Sequence, residues 1–279
     1  MVKPKMYFVT TRNCNLRCGH CYMGGRPGLK DTTISDDDFK KAVNNLPKVP
    51  ISLKLSGGEI FTVPDSLFSF LGHIQDVNKE RKRSHKGRIE THVQTNAFWA
   101  MKKNPVPVLE KLANLGVEGL DITSNDPFHQ KQGIHPDKLY SLREKAREYF
   151  PIVGVRGGPP MENAMPTGRP RMNGVPMGYH SGGMCEGVFD DLELTVDEVG
   201  DVYTCCFQFF KFPGNLIDEP LTKILKRAKK DKRLSELNWG GPRALAQSEG
   251  VPLGIINNLI GSHGDCGACF ELFSKDCKY

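Results

Sequence analysis

The sequence predicts an α/β fold: a parallel sheet built from strand–helix repeats, then a smaller C-terminal unit containing a β-hairpin. Three observations predict it. Short apolar or alternating runs recur five times between residues 6 and 156, separated by helical patterns. Cysteines, glycines and polar residues gather just after those runs, at the strand ends where such sheets place their ligands. Beyond residue 157 the repeat stops, and a stretch rich in Gly, Pro, Met and Asn leads to a second group of cysteines.

The 279 residues suit one large domain or a medium domain with an appendage, and 38% hydrophobic with 25% charged residues is ordinary for a globular chain. No apolar run reaches the ~20 residues of a membrane span, and the N-terminus lacks a secretory h-region, so a cytoplasmic location is expected. The net charge of +6 owes much to two basic runs, Lys79 to Arg88 and Lys223 to Arg233. Solvated helix faces account for both, and with no nucleic-acid-binding motif beside them, no nucleic-acid partner is expected. Nine cysteines in tight, uneven spacings argue for metal ligation over disulfides.

Met6 to Thr11 reads as a short buried strand. Just past it stand Cys14, Cys18 and Cys21, spaced C-x-x-x-C-x-x-C, with Tyr22 following. Thiolates are the usual ligands of iron–sulfur clusters, and a closed [4Fe–4S] site takes four of them; three leave one iron open. A zinc knot is the other reading, but the second cysteine pair it needs is absent nearby. Ser35 followed by Asp36, Asp37 and Asp38 starts a helix that ends before Pro47. Ile51 to Leu55 alternates as the second strand and runs into Ser56, Gly57, Gly58 and Glu59, where glycines admit close backbone approach and the glutamate supplies an acceptor for a cation.

A helix with Leu67, Phe68, Phe70, Leu71 and Ile74 on its apolar face leads to the third strand, Ile89 to Thr95, which ends in Asn96. Pro105 to Leu115 is helical, capped by Gly116; Val117 to Thr123 is the fourth strand, ending in Ser124, with Asp126 and His129 as candidate substrate contacts. A helix over 136–149 precedes the fifth strand, Ile152 to Arg156. Farther on, residues 192–196 and 201–205 form a hairpin around Val199 and Gly200, which brings Cys185 near Cys205. Cys266 and Cys269 have the spacing of two ligands on one centre; a structural zinc is the alternative to a cluster there. Cys206 and Cys277 are left over, as free thiols or buried small hydrophobes.

The cysteine triad after the first strand, with Gly57-Gly58-Glu59 one strand–helix unit later, resembles the radical S-adenosylmethionine (radical SAM) superfamily. The later cysteines, preceded by Met165 to Pro170, resemble its SPASM or shortened twitch domain. The resemblance implies a partial (β/α)6 TIM-like barrel over residues 1–175 and an auxiliary-cluster unit over 176–279. It implies a [4Fe–4S] cluster on Cys14, Cys18 and Cys21 whose open iron binds S-adenosylmethionine, and an auxiliary [4Fe–4S] cluster on Cys185, Cys205, Cys266 and Cys269. It assigns Gly57, Gly58 and Glu59 to the amino group of SAM, Arg156 to its carboxylate, and Asn96 and Ser124 to further SAM contacts. Cys206 or Cys277 is then a candidate hydrogen-atom donor, as in members that invert a stereocentre.

The implied activity is hydrogen abstraction from an unactivated C–H bond, giving epimerisation or two-electron oxidation of a sugar or aminocyclitol. A maturase acting on a ribosomally made peptide is the alternative, disfavoured by the lack of room before Cys14 for a leader-binding domain. A non-catalytic electron carrier is the third reading. A flavodoxin or ferredoxin is the expected reducing partner.

Overall fold

The computed structural model describes residues 3–101, 103–156, 189 and 193–273. The Met165–Pro170 segment, Cys185 and Cys277 therefore lie outside the described residues.

The alternating runs fold as read. Strands β1 (Lys5–Thr11), β2 (Ile51–Gly57), β3 (Ile89–Thr95), β4 (Val117–Ile122) and β5 (Ile152–Val155) form a parallel sheet with neighbours in chain order. Between them run α1 (Asp36–Asn44), α2 (Pro64–Arg83), α3 (Val106–Asn114), the single turn α4 (Pro127–Gln130) and α5 (Pro136–Ala146). The Ser35 hydroxyl accepts from the Asp38 N–H to start α1, and three acids in the first turn suit the helix dipole. Because the order is monotonic and parallel crossovers are right-handed, the helices fall on one side of the sheet.

The sheet's two faces differ accordingly. Met6, Phe8, Ile51, Leu53, Leu55, Ile89, Val93, Leu120 and Ile122 are buried in one hydrophobic core with Phe39, Leu67, Phe70, Leu71 and Ile74 of the helices. The opposite face is polar. Tyr7 stands beside Lys54, Lys54 beside His92, and Gln94 beside Asp121 in register across four strands. An open sheet with helices outside and polar side chains inside is a TIM-like barrel that has not closed.

The hairpin is present as β6 (Glu193–Val196) and β7 (Asp201–Tyr203), antiparallel, with Gly200 at φ 84° in the turn. Its first strand also pairs parallel with β1, Lys5 opposite Glu193 and Phe8 opposite Val196. The C-terminal hairpin is thus an extension of the first sheet.

The structure departs from the sequence reading in several places. The second hairpin strand ends at Tyr203, so Cys205 and Cys206 lie in a turn. A third strand, β8 (Lys211–Asn215), pairs with β7. It contains Pro213 and Gly214, which mask a strand in sequence but are tolerated at a sheet edge. The second basic run, Lys223 to Arg233, is divided between two helices: α6 (Leu221–Ala228), then α7 (Lys232–Ser248), whose N-cap Asp231 accepts from the Leu234 N–H. Helix α7 is broken at Gly240 and Gly241, ahead of Pro242, and α8 (Leu253–Phe273) is broken at Gly264. The first basic run is also not wholly solvated, since Arg81 is buried and donates to the carbonyls of Leu46 and Gly87.

Candidate functional site

The cysteine loop and the glycine loop are stitched together through their backbones. Gly58 N–H donates to Thr11 O at 2.7 Å, and Glu59 N–H to Asn13 O at 2.8 Å. Gly57 sits at φ 147°, and a Cβ on it would lie 2.2 Å from Thr11 O; one on Gly58 would lie 2.3 Å from Asn13 O. No side chain fits at either position, which gives this glycine pair a steric reason. Farther along, Cys14 N–H donates to Arg26 O and Cys21 N–H to Cys18 O, closing the loop on itself.

Cys14, Cys18 and Cys21 line one cavity of about 150 Å³ at the carboxyl ends of β1 to β4, together with Gly57, Gly58 and Asn96. Burial pushes the Cys14 thiol up to about 12, and the charges of Glu59, Cys21 and Cys18 push the same way, against a hydrogen bond from Leu16 N–H. A cation bound among these sulfurs relieves that repulsion and releases protons. Three soft donors converging on one cavity fit an iron–sulfur cluster with an open iron.

Glu59 and Ser124 are buried behind this cavity and are absent from its lining. The Glu59 carboxylate accepts from Asn96 N–H at 2.5 Å, Thr95 Oγ1 at 2.9 Å and Phe61 N–H at 3.1 Å, which locks the end of β2 to the end of β3. Ser124 Oγ donates to Asn96 O at 2.6 Å. Asn96 in turn donates to Asn15 Oδ1 at 2.9 Å and faces the Cys14 sulfur at 3.9 Å. Arg156 is exposed at the end of β5, with its Nε on the Asp121 carboxylate at 2.7 Å; Lys54 Nζ reaches the same carboxylate at 2.6 Å.

Burial raises the Glu59 carboxyl to about 7 despite its three donors. The folded chain therefore favours the protonated form more than the unfolded chain does. That contribution to stability is full below about pH 4.5 and is lost as pH rises through about 7. In the metal-free protein, Glu59→Gln should remove this part of the pH dependence between pH 5.5 and 8 in urea unfolding. It should also cost about 1–3 kcal/mol, because the amide NH2 must face one of three donors. An unchanged pH slope would place the titration elsewhere.

The loop after β4 reaches back to the cysteines. Asp126 Oδ1 accepts from the N–H groups of Phe128 and His129, and Oδ2 lies 2.6 Å from His129 Nδ1. Burial disfavours the His129 cation, but the bonds to Asp126 and the Cys18 sulfur outweigh it and raise the imidazole to about 9. Gln132 Nε2 donates to the Cys18 sulfur at 3.1 Å while its Oε1 accepts from Arg17 N–H at 2.8 Å. Gln132 carried no sequence signal.

The second cysteine group assembles from the turn after β7 and from α8. Burial, then Cys205 and Cys266, push the Cys206 thiol up; burial and Cys205 push Cys266 up to about 11. Cys266 and Cys269 are three apart on the helical stretch after Gly264, hence on one face. The Cys205 thiol is raised by burial and accepts hydrogen bonds from the backbone N–H groups of Phe209, Phe207 and Gln208. Sequence reasoning also missed Arg12. It is buried, pairs with Glu198 at 2.6 Å, and donates to Met23 O at 2.9 Å and Gln208 Oε1 at 3.4 Å, so it joins the two cysteine regions.

Comparison with known proteins places this geometry. The BtrN structure in complex with AdoMet and 2-DOIA is similar at a TM-score of 0.56 and 14% identity, over 87% of this chain and 89% of that one. The native anSMEcpe structure with bound AdoMet and Cp18Cys peptide is similar at a TM-score of 0.50 and 15% identity, over 84% and 82%. At these identities the likeness concerns the fold. A 60-residue stretch is 37% identical to the antilisterial bacteriocin subtilosin biosynthesis protein AlbA of Bacillus subtilis (strain 168), a match spanning 21% of this chain and 13% of that protein. The model of the radical SAM superfamily matches residues 8–164, more than half of the sequence. The chain therefore belongs to the radical SAM superfamily.

Proposed function

We propose that this protein oxidises or epimerises a polar small molecule of the sugar or aminocyclitol type, with a radical SAM core over residues 1–175 and an auxiliary-cluster unit over 176–279. The carrying observation is the polar inner face of the sheet below the cysteine cavity. Tyr7, Lys54, Gln94 and Asp121 offer hydrogen-bonding groups there, where an apolar substrate would meet no complementary surface. A [4Fe–4S] cluster held by Cys14, Cys18 and Cys21 supplies, with S-adenosylmethionine, a 5′-deoxyadenosyl radical able to take a hydrogen atom from an unactivated C–H bond. The backbones of Gly57 and Gly58, with Asn96, form the wall against which SAM sits. Glu59 and Ser124 act by holding that wall, and Arg156 is the carboxylate partner at its rim.

Cys185, Cys205, Cys266 and Cys269 hold the auxiliary cluster. Three N–H groups directed at Cys205 support it as the ligand, since hydrogen bonds to sulfur are typical of cluster thiolates. That leaves Cys206 as the free thiol among the described residues, with Cys277 the other candidate donor. Cys206 lies within electrostatic reach of Tyr7 on the inner face and of Tyr22 on the cavity wall. Its S–H bond breaks as a C–H bond forms on the substrate radical, and the resulting thiyl regains one electron and one proton from a reducing partner such as a flavodoxin or ferredoxin.

The test is turnover of a panel of sugars and aminocyclitols in D2O. Epimerisation should leave one deuterium at the inverted carbon, and Cys206→Ala should abolish that product while keeping both clusters and SAM cleavage. Oxidised product without deuterium, unaffected by Cys206→Ala, assigns the dehydrogenase branch. A panel without any SAM-dependent product rejects the small-molecule reading. The AlbA match favours a second reading, modification of a ribosomally made peptide, and makes a precursor peptide the next substrate class to assay. Reconstituted protein that binds no SAM would point instead to an electron carrier.

A further inference from the structure

We propose that the metal-free chain holds a zinc ion on Cys18, His20 and His129, and that zinc and an iron–sulfur cluster exclude each other because both need Cys18. One sulfur and two imidazole nitrogens, one from each of these residues, lie within 4.8 Å of one another. A tetrahedral zinc with bonds of about 2.0–2.3 Å holds its ligand atoms roughly 3.3–3.7 Å apart, so side-chain rotations of about 1 Å complete the site. One thiolate with two imidazoles is a donor set zinc accepts, and three protein ligands leave the fourth position to water.

The support around these ligands is what distinguishes the site from a chance cluster. Asp126 is buried and fixed by two backbone N–H groups, and its other oxygen lies 2.6 Å from His129 Nδ1. A carboxylate on one ring nitrogen sets the tautomer and aims the other nitrogen at the metal. His129 Nε2 is the remaining nitrogen, and His129 already bonds to the Cys18 sulfur. His20 is held by ring contacts with Phe128 at 4.5 Å and His129 at 5.1 Å. All three ligands line the same cavity, so an ion and its water have access. Cys14 and Cys21 are outside the set. Zinc therefore takes one thiolate of the three, and a zinc-loaded chain cannot complete the cluster.

The zinc site rests on the described geometry; the exclusion rests also on Cys18 being an iron ligand, and the experiment separates the two. Protein stripped of metal by a chelator is alkylated anaerobically with iodoacetamide, with and without Zn2+, and each cysteine is followed by peptide mass spectrometry. Zinc should slow alkylation of Cys18 by about tenfold or more while leaving Cys14 and Cys21 unprotected. Asp126→Asn should weaken the protecting zinc affinity by about 10–100-fold. His20→Ala and His129→Ala should each remove protection; if His129→Ala does not fold, the other two variants decide. Equal protection of Cys14, Cys18 and Cys21, or protection of Cys18 that survives His20→Ala and Asp126→Asn, overturns the site. In the second arm, zinc-loaded protein given ferrous iron and sulfide should take up about four fewer irons than stripped protein. Undiminished uptake overturns the exclusion.

Discussion

Replacing Cys14, Cys18 and Cys21 together with alanine should abolish formation of 5′-deoxyadenosine from SAM. The three cysteines line one cavity, and no other cysteine lines it among the described residues. The second cysteine group draws on a different turn and on α8, so the auxiliary cluster proposed for it should remain. Iron should fall from about eight to about four per chain if both sites carry [4Fe–4S] clusters. Deoxyadenosine production that persisted in the triple variant would remove the assignment of the N-terminal site. A fall to zero iron would show that the two sites do not assemble independently.

Arg12→Met should destabilise the fold by about 3–5 kcal/mol, because the Glu198 carboxylate would be left buried without its cation. The two side chains are only 9% and 10% exposed. The double variant Arg12→Met, Glu198→Met should recover most of that loss, since apolar side chains of similar size can replace a buried pair. Lys5→Met is the matched control, as its pair with Glu193 is 64% and 42% exposed and should be worth less than about 1 kcal/mol. Thermal unfolding of the four proteins measures this. Arg12→Met as mild as Lys5→Met would mean that water reaches the pair. The change also frees Gln208, held at φ 60° in the Cys205 turn, from one of its contacts.

The legible part of the sequence was the part governed by local pattern. Alternation over Ile89 to Thr95 and Ile51 to Leu55 announces strands because one face is apolar and the other polar, and the structure uses both faces. Thiol spacing and the glycine pair point to the site for the same reason: their chemistry is carried by neighbours in sequence. Strand β8 was hidden by Pro213 and Gly214, which only an edge position excuses. The breaks at Gly240, Gly241 and Gly264 cut the helical periodicity of α7 and α8 into short lengths. Arg12 and Gln132 depend on contacts across 186 and 114 positions, and no window of sequence reveals such partners.

The pairing of β6 with β1 bears on how the chain is made. β1 leaves the ribosome well before β6, so the edge that β6 covers stays without that partner until residue 193 emerges, 188 positions after Lys5. Parallel pairings of such separation form slowly, and an unpaired strand edge invites the wrong neighbour. A nascent chain stopped anywhere before residue 193 therefore carries an adhesive edge beside its cysteine loop, and expression of such fragments should depend on chaperones where the longer chain does not.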